Sequence, residues 1–95
     1  MAQEQKQEMK IKAGDAELKG AYSNLVQILH MKEEFILDFF LSVPPQGMLA
    51  SRIIISPAHA KRMAAAMADA IKKYEDKFGT IKAGEAPEGQ IGFVK

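Results

Sequence analysis

The longest unbroken hydrophobic alternation in the chain is FILDFFLSV, where Phe35, Leu37, Phe39, Leu41 and Val43 fall at every second position. Side chains alternate between the two faces of a strand, so this row predicts a strand with one wholly apolar face. The intervening positions are Glu34, Ile36, Asp38, Phe40 and Ser42, two large apolar groups around a carboxylate, which suits neither open solvent nor an ordinary core. Upstream, AYSNLVQILHM over residues 21–31 sets Leu25, Leu29 and Met31 on one side and Tyr22, Val26 and Ile28 on the other. The polar break Lys32-Glu33-Glu34 separates these two strands. Pro44-Pro45-Gln46-Gly47 ends the second, because proline cannot donate to a ladder and glycine tolerates a reversal. A third strand over residues 49–55 is expected to turn Leu49, Ile53 and Ile55 to one side, with Arg52 and Ile54 on the other.

After Ser56 the period changes. Ala60, Met63, Ala64, Met67, Ala70, Ile71, Tyr74 and Phe78 recur three and four residues apart, the signature of a helix with one apolar stripe. Ser56 suits the N-cap, Pro57 the first helical position and Gly79 the residue just past the end, so the helix is expected over residues 57–78. The expected fold class is therefore α+β: a three- to four-stranded antiparallel sheet followed by one long C-terminal helix packed on one face, in the order β-β-β-α. The optional fourth strand is Met9-Lys-Ile-Lys12, pairing on an edge before the turn signal Ala13-Gly14-Asp15. The helix is expected to cover the Phe35–Val43 row.

Three segments follow from the same reading. Residues 1–8 are a polar arm unable to bury enough surface to offset its ordering entropy, residues 9–79 a single α+β domain, and residues 80–95 a mostly flexible tail. Ile81, or Ile91 with Phe93, are the tail's candidate docking groups.

Composition sharpens this picture in one respect. The chain has 95 residues and no cysteine, so a small core is stapled neither by disulfides nor by a thiolate metal site, and oligomerisation becomes the natural substitute. Thirteen basic residues against twelve acidic ones leave a formal charge of +1, with no global field toward nucleic acid or an anionic membrane. No stretch approaches the length of a bilayer span and the polar start lacks an apolar signal region, so a soluble, cytoplasmic protein with no membrane partner is expected.

Candidate chemistry is sparse. The two histidines, His30 and His59, have no ligand spacing, and a metal site joining them with Glu33 or Glu34 is weighed well below a surface or strand-end role. Asp38 has Arg52 as its natural cross-strand partner, and no second acid, nucleophile or positioned base accompanies it. Neither an enzyme nor a cofactor is expected. Lys61, Arg62, Lys72 and Lys73 form a possible anion or nucleic-acid patch, although Asp69, Glu75 and Asp76 interleave with them. Val26, Ile28, Ile36, Phe40 and Ile54 are assigned to the sheet face that a single helix leaves uncovered. With Asp38 and Arg52 they make the candidate oligomer interface, since a sheet with two apolar faces needs a second layer.

The stretches GAYSNLVQILHMKEEFILDFF and SRIIISPAHAKRMAAAMADAIKKYEDKFG resemble an uncharacterised prokaryotic group, domain-of-unknown-function family 3467. Its G-x-Y-x-N start falls on Gly20, Tyr22 and Asn24, and its EF-x-LDF strand on Glu34, Phe35, Leu37, Asp38 and Phe39. Its R-x-x-x-SP-x-HAK segment falls on Arg52, Ser56, Pro57, His59, Ala60 and Lys61, and its YE-x-x-FG end on Tyr74, Glu75, Phe78 and Gly79. The resemblance spans about residues 20–79 and implies the same strand and helix order, with no activity to carry over. In outline the small two-sided sheet is also similar to SecB-like export chaperones, a likeness of fold alone. The expected function is a non-enzymatic homo-oligomeric protein–protein interaction module, adaptor- or chaperone-like, with a nucleic-acid-binding protein using the local basic patch as the alternative.

Overall fold

Three antiparallel strands and one long helix carry the fold of the computed structural model, which describes residues 7–87 and 89–95. The order is α1 (Asp15–Lys19), β1 (Leu25–His30), β2 (Phe35–Val43), β3 (Gln46–Ile55) and α2 (Pro57–Phe78). The sheet is a simple meander, β1-β2-β3, with β2 in the centre. The α+β class and the β-β-β-α order are those expected. Among the described residues no fourth strand is present: residues 9–12 have no regular structure, and the segment read as a turn continues into the single-turn helix α1. The polar arm lies mostly outside the described residues. Tail residues 80–95, where described, form neither helix nor strand.

Register decides which side chains share a face. In an antiparallel pair, directly opposed residues project to the same side. Val26 is opposite Phe39 and Ile28 opposite Leu37, so Val26 and Ile28 join the Phe35–Val43 row and not Ile36 and Phe40, with which they were grouped. Leu25 and Leu29, opposite Phe40 and Ile36, take that other face. A bulge shifts β3 as well. Phe39 pairs with Ser51 but Phe40 with Leu49, leaving Ala50 as an extra residue. Leu49 therefore lies on the side of Arg52 and Ile54, against the expectation that placed it with Ile53 and Ile55. The result is a Leu37 face, with Val26, Ile28, Phe39, Ile53 and Ile55, and an Asp38 face, with Leu25, Ile36, Phe40, Leu49, Arg52 and Ile54.

The expected packing of α2 on the sheet is not found. No residue of α2 is buried, and the elements in substantial contact are β1 with β2 and β2 with β3. The cause is local. Proline at 57 disfavours a helical conformation at the residue before it, and Ser56 is extended at φ −72° and ψ 156°. One extended residue between Ile55 and Pro57 gives no room for the reversal that would lay the helix back on its own sheet, since such links normally use two to six residues. A 22-residue helix is about 33 Å long and a ten-residue strand about 34 Å, close together to the molecule's longest extent of 61 Å. The helix thus runs on beyond the sheet.

Candidate interaction surfaces

The Asp38 face is organised by an ion pair. Register sets Asp38 directly opposite Arg52, and the guanidinium donates from Nε to Oδ1 at 2.7 Å and from Nη2 to Oδ2 at 2.8 Å. Both carboxylate oxygens are engaged, which is what a side chain only 1% exposed requires. The hydrogen bond from Arg52 holds the Asp38 carboxyl below its ordinary pKa, against desolvation, with the guanidinium charge adding to the lowering. Arg52 is raised in turn, chiefly by the same hydrogen bond. Each carboxylate oxygen thus accepts one hydrogen bond from the same guanidinium.

Beside it lies the C-terminal tail. The Phe93 ring sits 5.9 Å from that of Phe40, and the Arg52 guanidinium carbon lies 5.7 Å from the centre of the Phe93 ring. Gly89 to Val94 form one wall of an open cleft of about 380 Å³, whose other side includes Leu25, Phe40, Leu49 and the Pro44-Pro45 turn. Of the two docking routes considered for the tail, the one through Ile91 and Phe93 reaches this face. Phe40 is buried, whereas Ile36 is half-buried and Ile54 exposed. The face assigned to a partner is therefore partly covered by the chain's own terminus.

The Leu37 face has the opposite condition. Leu37 and Ile55 are buried, but Val26, Ile28, Val43, Met48 and Ile53 are exposed around them. The stripe of α2 is equally open, with Met63, Met67, Ile71, Tyr74 and Phe78 all exposed. Two large apolar surfaces, one on the sheet and one on the helix, stand unpartnered in a single chain.

The remaining candidates are dispersed. Lys72 pairs with Asp76 at 3.7 Å and Lys73 with Asp69 at 3.0 Å, both one helical turn apart, so half of the basic patch is matched by neighbouring acids. Lys61 and Arg62 stand exposed in the early turns of α2. His30 ends β1, 5.7 Å from the Phe35 ring, and the His59 N–H is taken by the N-cap Ser56 at 3.1 Å. Among the described residues no group of three or more His, Cys, Asp or Glu is placed to hold a metal, and no helix is long and apolar enough to cross a membrane.

Several motif residues have structural duties. Asn24 extends the β1–β2 ladder with its side chain, donating from Nδ2 to Ser42 O at 2.9 Å and accepting from Ser42 N at Oδ1 at 2.8 Å. Glu75 accepts the Ile81 N–H at 2.8 Å, steadying the chain where it leaves α2 through Gly79 at φ +100°. Tyr74 and Phe78, one turn apart, bring their rings together in a tilted pair, centres 5.0 Å from each other. Sequence reasoning missed the roles of Asn24 and Glu75, although both stand inside the motifs that it singled out.

A three-stranded antiparallel meander extended by a long amphipathic helix, with one buried Asp–Arg pair, defines a small α+β protein whose notable surfaces are apolar. The chain belongs to the family described as protein of unknown function (DUF3467), whose model matches residues 1–83. No curated protein and no solved structure matches it, so the outline likeness to SecB-like chaperones carries no further argument.

Proposed function

We propose that the chain is a non-enzymatic, homo-oligomeric protein–protein interaction module. One observation carries this reading: the chain exposes 9408 Å², whereas a compact monomer of its 10.5 kDa exposes about 5,400 Å². The radius of gyration, 17.4 Å, exceeds in the same way the value of about 12 Å for a compact chain of this length. Large apolar side chains on α2 and on the Leu37 face are part of that exposed surface, and exposed apolar patches mark interaction sites. Static light scattering coupled to size exclusion tests it across micromolar concentrations. A mass of twice the chain or more is expected; a monomer throughout overturns the proposal.

A further inference from the structure

We infer that α2 of one copy lies along the Leu37 face of a second copy, and reciprocally, so that each chain supplies the missing layer of the other. The inference rests on the oligomer reading and names its geometry. Its first support is complementarity of length. The helix and strands β2 and β3 match at about 31–34 Å, so one helix is long enough to lie along either strand from end to end. The second is complementarity of size. Ala60, Ala64 and Ala70 within the stripe of α2 let a backbone approach closely, as the bulky Phe35, Phe39 and Ile53 of the sheet require.

Charge agrees with this placement. Lys72–Asp76 and Lys73–Asp69 pair with each other on the side of α2 away from the stripe, and no charged residue opposes the Leu37 face in the strand pairs from Val26–Phe39 to Ile53–Leu37. His30 lies at its end, opposite Phe35, and is its one titratable strand residue.

Area favours the helix-on-sheet arrangement over a pair of helices. Helix against helix leaves the Leu37 face bare in both copies, while the exchange covers both apolar surfaces in one step. About ten exposed large side chains, five from α2 and five from the Leu37 face, meet in each of two equivalent contacts, and at about 100 Å² each the total is near 2,000 Å², at the lower edge of obligate homodimers. The surplus area of each chain is large enough to supply it.

The sequence has no cysteine, so introduced thiols are its only ones. Met67 is at the middle of α2 and Ser51, opposite Phe39, at the middle of the Leu37 face. The two midpoints superpose whichever way the helix runs. Met67→Cys protein is mixed with Ser51→Cys protein, allowed to exchange subunits, and treated with a short bis-maleimide. The expected product is the hetero-crosslinked pair, identified by mass spectrometry, in large excess over either homo-crosslinked species. Predominant linkage of Met67→Cys chains to each other shows helix-on-helix pairing and overturns this inference while leaving the oligomer reading intact. An oligomer that forms no hetero-crosslink does the same. A monomeric mass for the unmodified chain removes both. Independently, Ile71→Lys is expected to weaken self-association on the order of 10–100-fold, and Arg62→Gln, on the outer side of α2 and outside both of its salt bridges, to leave it unchanged; equal effects of the two changes overturn the assignment.

Discussion

Replacing Phe93 by alanine is expected to free the C-terminal tail while barely changing global stability. Ile91 is 40% exposed and Phe93 58% exposed, so together they hide about one side chain, about 1.5–3 kcal/mol of apolar burial. The ring pair with Phe40 and the Arg52 contact add about 1–2 kcal/mol between them. Ordering the six residues from Gly89 to Val94 costs about 1 kcal/mol each, about 6 kcal/mol in all. The terms cancel to within about 1–4 kcal/mol with no surplus on the favourable side, so the docked tail is a local state that adds nothing to global stability. Removing the Phe93 ring takes away about half of the favourable side. Proton NMR reads the outcome, because the Arg52 guanidinium carbon lies 5.7 Å from the centre of the Phe93 ring and the guanidinium protons lose their ring-current shift when the ring is gone. Amides 89–95 then exchange at free-peptide rates, and the melting temperature moves by no more than about 2 °C. A fall of more than about 8 °C, which corresponds to 1–2 kcal/mol in a domain of this size, refutes the reasoning by showing that the tail is part of the cooperative core.

Arg52 lowers the folded-state pKa of Asp38 below the unfolded value of about 3.9, so the pair's contribution is present above that value and lost as pH falls through the lower folded one. Urea midpoints between pH 2 and 6 are expected to fall more steeply with acid in the wild type than in Asp38→Asn, and parallel profiles contradict the assignment. Ser56→Ala removes the acceptor for the His59 N–H, at a cost of about 1 kcal/mol. Circular dichroism melts should show a midpoint lower by about 4–8 °C, with Ser56→Asp close to the wild type.

Each strand and the long helix were legible because their signals are local. The alternation in FILDFFLSV marks a strand without reference to any partner, and Ser56, Pro57 and Gly79 mark both ends of α2 within single residues. The Asp38–Arg52 pair was legible for a related reason: a carboxylate between Ile36 and Phe40 has few tolerable partners, and Arg52 is the nearby cation. What failed depended on relations between segments. Whether Val26 shares a side with Phe39 or with Phe40 turns on register, and a shift of one residue reverses the answer. Ala50 carries no mark of a bulge, yet it moves Leu49 across the sheet. Phe93 stands in a glycine-rich stretch without a period, so nothing in its own neighbourhood points to Phe40.

The placement of α2 shows how one residue type can support both a free and a docked state. A helix that packs on nothing must hold itself by propensity and local pairs, and isolated helices of ordinary composition do so poorly. Alanine fills positions 58, 60, 64, 65, 66, 68 and 70, the residue with the highest helix propensity, and two salt bridges one turn apart add about 0.3–0.5 kcal/mol each at most. The helix therefore persists beyond the sheet before any partner is met. The same alanines within the stripe keep its surface low, so that large residues alone, Met63, Met67, Ile71, Tyr74 and Phe78, stand proud of it. A preformed helix loses less conformational entropy on docking than one that must fold against its partner. Glycine at Ala65 and Ala66, away from the stripe's centre, is then expected to weaken assembly through helix formation alone, without touching a contact. That effect should disappear when a helix-promoting cosolvent restores the helical signal.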